Sequence, residues 1–101
     1  MADTKSLSDI RVADIQCIGT DPDIFVGRVM FHFDESLAEG RDTSHSIAVK
    51  LRITHSRASS IESLQEQFLK EALGLMRLVA QHGNEGCLQQ FKHSLSSSGE
   101  V

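Results

Sequence analysis

At 101 residues, with 40% apolar and 24% charged side chains, the chain has the size and balance of a single globular domain, which argues against disorder, collagen-like repeats and disulfide scaffolds. Its net charge of −4 comes from 14 acidic and 10 basic residues spread along the sequence. That distribution leaves no broad basic field for a phosphate backbone, so nucleic acid is not an expected partner.

Cys17 and Cys87 form no CxxC pair and sit in no cluster of metal-ligating residues, so two reduced thiols are expected. No apolar run approaches the ~20 residues of a membrane span. The opening residues are acidic and poor in apolar side chains, unlike a signal peptide, and a cytoplasmic location without membrane contact is the expectation.

In chain order, residues 1–8 read as a flexible lead-in, 9–95 as one α+β domain and 96–101 as a Ser-rich disordered tail. Val12 to Ile18 alternates, with Ala13, Ile15 and Cys17 opposite Asp14 and Gln16, and predicts a half-buried strand with Cys17 inside. Gly19 to Asp23, containing Pro22, predicts a turn. Ile24 to Asp34 is a stronger strand. Phe25, Gly27, Val29, Phe31 and Phe33 share the face assigned to the core, and Ile24, Val26, Arg28, Met30 and His32 share the other.

Gly27 lies mid-face, where a missing side chain implies a bulge or a large neighbour over the backbone. Glu35 to Ser46 is polar and reads as a long loop. Ile47 to His55 alternates cleanly, with Ile47, Val49, Leu51 and Ile53 on one face. Three strands without an intervening helix predict an antiparallel meander.

The helix signal is the clearest. Ser59 and Glu62 are spaced as a capping box, and Ile61, Leu64, Phe68, Ala72, Leu75 and Val79 recur at steps of three and four. Gly83 is placed to end the helix, which is expected from Ser60 to His82. Cys87, Leu88, Phe91 and Leu95 predict a shorter second helix from about Asn84. The predicted fold is therefore a two-layer α+β domain: an antiparallel sheet of three or four strands under one long C-terminal helix, with a short terminal helix.

Leu69, Leu73, Met76 and Ala80 add a second apolar stripe to the long helix, and Leu78 widens the arc on the other flank. A helix resting on one sheet needs an apolar arc of little more than 100°. Something else must cover the excess: either Leu88, Phe91 and Leu95 folding back, or another chain. The far face of the sheet poses the same question at Val26 and Met30. Val26, Met30, Leu69, Leu73 and Met76 are accordingly the candidate interface residues.

Chemistry is harder to find. The five histidines form no HxH, HxxxH or HExxH, and the glycines form no GxGxxG or phosphate loop, so no metal or cofactor is expected. Arg41, Asp42 and His45 on the polar stretch are the least implausible catalytic group. Arg28, Lys50 and Arg52 share a sheet face, but the stacking aromatics of a single-strand reader fall on the opposite one. The expected role is a non-enzymatic accessory or protein-interaction domain acting as a homodimer or with a protein partner. The alternative is an apolar-ligand binder with a pocket between sheet and helix, where Gly27 and Met76 leave room.

Overall fold

A computed structural model describes residues 4–98 as β1 (Thr4–Gly19), β2 (Ile24–Ser36), β3 (Asp42–Thr54) and α1 (Ile61–Ser98). The strands form one antiparallel sheet in the order β1-β2-β3, and α1 crosses one face and touches all three. The α+β meander under a long C-terminal helix is the architecture that the alternation and the helical period predict.

β2 and β3 pair without a break from Ile24↔Thr54 to Ser36↔Asp42. Because the register is continuous, each face keeps its parity, and Phe25, Val29 and Phe31 of β2 join Ile53 of β3 in the core. The expected long loop over Glu35 to Ser46 is corrected to a short connection. Residues 42–46 look like a loop because they are polar, yet their backbone completes the ladder with β2. The turn is closed by the Leu37 and Gly40 amides donating to the carbonyls of Arg41 and Leu37, at 2.9 and 3.0 Å, with Gly40 at φ 79°.

β1 is longer than expected and begins at Thr4, inside the stretch read as a lead-in; residues 1–3 lie outside the described part. Its register against β2 slips three times, between Leu7 and Asp9, Ala13 and Gln16, and Cys17 and Gly19. At the middle slip Ala13 pairs with Arg28 and Gln16 with Val26, so Asp14 and Ile15 together oppose Gly27. This is a β-bulge, with Asp14 in the left-handed region at φ 57°. Each extra residue flips the parity. Val12 and Ile15 both pack on the core, whereas Ala13, expected on the side of Ile15, shares the far face with Arg28. Cys17 is exposed rather than inside, because it lies near the end of an edge strand.

The start of α1 also differs from the expected capping box. Ser60, not Ser59, accepts the Ser63 amide on its hydroxyl at 3.1 Å, and the first helical bond runs from the Leu64 amide to the Ser60 carbonyl. Ser59 instead donates its amide to the Ser56 carbonyl in the preceding turn. Leu64, Phe68 and Ala72, one residue apart per four, are the helix's buried row, with Leu69 and Met76 packed beside them.

The Gly27 backbone accommodates the Phe68 ring: a Cβ there would lie 2.9 Å from both Cε1 and Cζ. The expected stop at Gly83 is a kink at which two helices join within α1, rather than a break between separate elements. The helical element continues to Ser98 across a single non-helical residue, Gly83, at φ 74° and ψ 171°. Residues 96–98 of the expected tail are thus helical, and 99–101 lie outside the described part.

Candidate functional site

Helix and sheet part company toward one end. Along β3, Ile53 is buried, Leu51 and Val49 are half-buried, and Ile47 is 44% exposed. Along α1, Phe68 and Ala72 are fully buried, Met76 is half-buried, and Val79 is 63% exposed. The divergence opens a cleft of about 410 Å³ lined by Ile47, Val49, Leu75, Met76, Val79 and Ala80, all apolar. A helix of about 1.5 Å per residue outruns the part of the sheet that its first turns cover.

Past the cleft, Gly83 turns the chain. The Cys87 thiol comes to 3.5 Å from the Val79 carbonyl, a separation that eight residues of unbroken helix, rising ~12 Å, would not allow. The inner side of this elbow is a second crevice of about 420 Å³, with Leu78, Val79 and His82 on one arm and Cys87, Gln90 and Phe91 on the other. Leu88, Phe91 and Leu95 on the second arm are each at least half exposed. They do not cover Leu73, which stays 44% exposed.

Of the five candidate interface residues, Leu73 alone is exposed. Leu69 and Met76 pack against the core, and Val26 and Met30 are half-buried on the far face. The larger uncovered surface is Ile47, Leu75, Leu78, Val79, Leu88, Phe91 and Leu95. Periodicity places Leu75 and Val79 on the inward stripe; their exposure depends on where the sheet ends, which the helical period does not encode.

The far face carries a shallow groove of about 580 Å³ lined by Asp14, Val26, Gly27, Arg28, Lys50, Leu51 and Arg52. Its charge is partly spent internally. Arg28 meets the Asp14 carboxylate at 2.7 Å across the bulge, while Lys50 and Arg52 have no ionic partner among the described residues. The three cations do gather on one face, as their parity predicts, with the phenylalanines on the other.

The polar group Arg41, Asp42 and His45 is not assembled. His45 lies in β3 and its Nε2 is 2.7 Å from Glu35 across the ladder, while Asp42 pairs through its backbone with Ser36. The hydrogen bond from His45, with Lys5 at 3.6 Å, holds the Glu35 carboxyl below its ordinary range. Asp9 is likewise lowered by the Arg11 guanidinium at 2.6 Å.

At the other end of the sheet Arg57 donates to the Cys17 sulfur at 3.2 Å and lies 3.6 Å from Asp23. Among the described residues no three His, Cys, Asp or Glu side chains converge as metal ligands, and no helix is long and apolar enough to cross a membrane. The room anticipated at Gly27 for an apolar ligand is taken by Phe68.

No protein-family model matches this chain, and no curated protein or solved structure matches it either.

Proposed function

We propose that the chain is a non-enzymatic protein-interaction module that works as a homodimer through the apolar surface left beyond the sheet. The observation that carries this reading is the amount of surface. The chain exposes 7767 Å², against about 5,700 Å² for a compact monomer of its mass. The surplus, roughly 2,000 Å², exceeds the about 800 Å² that each partner contributes to a standard interface.

The radius of gyration, 17.7 Å, points the same way when set against about 13 Å for a compact chain of this length. The surplus is also apolar where it matters: seven large apolar side chains lie along the distal helix and the cleft, whereas scattered single ones would need no explanation.

Light scattering coupled to size exclusion at micromolar concentration tests the proposal. A mass of two chains is expected; a strict monomer overturns the homodimer reading, and a monomer that takes up an apolar dye stoichiometrically would favour a ligand cleft instead.

A further inference from the structure

We infer that the dimer is built by exchange: the helical arm beyond Gly83 of each chain lies in the cleft between β3 and α1 of the other. This rests on the homodimer reading above and specifies which surfaces meet.

The two surfaces are complementary in kind. The cleft is lined by apolar side chains alone, with Ile47 and Val49 on the sheet side and Leu75, Met76, Val79 and Ala80 on the helix side. The arm carries Leu88, Phe91 and Leu95 at steps of three and four, a single stripe along one side of a helix, with Gln89, Gln90, Lys92 and His93 around the rest. Short apolar stripes of this kind dock into grooves as amphipathic helices.

Neither surface is closed over within its own chain. Across the elbow the arm faces Leu78, Val79 and His82, and no described residue beyond Gly83 lines the β3 cleft. Phe91 stays 58% exposed and Leu75 45% exposed.

A second copy supplies what is missing with the correct stoichiometry. Each chain owns one arm and one cleft, so a two-fold axis pairs arm with cleft twice and leaves neither surface open to a third chain. Gly83 makes the geometry available: its positive φ separates the arm from the packed part of α1, so the arm leaves the body of its own chain.

The test uses Phe91→Glu and a cross-linking pair. Phe91 is exposed, so its substitution spares the core and the far-ultraviolet circular dichroism should not change. The variant should shift from dimer to monomer at concentrations where the wild type is fully dimeric, while Val26→Lys on the far sheet face stays dimeric.

In a background of Cys17→Ser and Cys87→Ser, chains bearing Ala80→Cys are co-refolded with chains bearing Leu95→Cys and then oxidised. A mixed disulfide dimer, several-fold above what either chain forms alone, is expected. A wild-type dimer that survives Phe91→Glu, or a mixture that yields no excess of the mixed species, overturns the exchange and leaves the homodimer reading standing. A monomeric wild type overturns both.

Discussion

Replacing Gly27 by Ala probes the packing of helix on sheet through its sign. Gly27 is not at positive φ, so its backbone admits an alanine without strain. In an open strand the change would stabilise the fold by about 0.5–1 kcal/mol, because glycine loses more chain entropy on folding. Here the added methyl would lie 2.9 Å from two carbons of the Phe68 ring and 3.4 Å from Cγ1 of Ile15.

Phe68 has no exposed surface into which to swing, so the ring or the whole helix must move. Overpacking of this kind costs about 1–3 kcal/mol, which set against the entropic gain leaves a net loss centred on about 1 kcal/mol. Urea unfolding followed by circular dichroism, at one protein concentration for all variants, reads the difference as a shift in midpoint at constant slope. Phe68→Leu removes the colliding ring edge. The double variant should therefore be more stable than the sum of the single changes predicts, with a coupling of about 1 kcal/mol. A Gly27→Ala protein more stable than wild type, or strict additivity in the cycle, would refute the packing argument.

Three further outcomes follow from the local geometry. Ser60→Ala should cost about 1 kcal/mol by removing the acceptor of the Ser63 amide, while Ser59→Ala, whose side chain caps nothing, should be close to neutral in the same denaturation assay. Asp9 and Glu35 both titrate below their ordinary values in the folded chain, so the stability they lend is present above the carboxylate range and lost as pH falls through the lowered values. The gap in melting temperature between wild type and Asp9→Asn/Glu35→Gln should accordingly be widest near neutrality and close on acidification; a gap that widens in acid would contradict the pairing. Thiol titration of the native protein should find Cys17 reacting ahead of Cys87, since the first is exposed and the second half-buried, with two free thiols after unfolding.

The elements that were legible in the residues are those whose period runs uninterrupted. β2 and β3 alternate over their whole length because their mutual register never slips, and the buried row Leu64, Phe68, Ala72 follows from helical spacing. Gly27 was also readable, because a glycine on a core face implies a bulge or a large neighbour over the backbone, and both are found there.

β1 was not readable in the same way. Three slips each change which face the next residue takes, so Ile10, Val12 and Ile15 show no single parity, and the alternation seen over Ala13, Ile15 and Cys17 placed Ala13 on the wrong side. The polar start of β3 was hidden for another reason: its order comes from backbone bonds to β2, to which side-chain polarity is blind. The uncovered apolar surface of α1 was half legible. The excess of apolar residues on α1 was evident, but which of them meet the sheet depends on where helix and strand diverge, and that moved the uncovered surface from Leu69 and Met76 to Leu75, Val79 and the arm.

The slips of β1 have a consequence for the two open edges of the sheet. A regular edge strand offers a ladder of unpaired amides and carbonyls to any passing extended chain. On β1 the left-handed Asp14 and the three register shifts break that ladder into lengths of at most five residues. β3 has no such interruption, and its other edge carries the charges of Lys50 and Arg52 beside the cleft along Ile47 and Val49. Misassembly of the chain, as amyloid-like stacking or runaway strand addition, is therefore expected to start from β3 rather than β1, and an arm seated in the cleft would act as its chaperone.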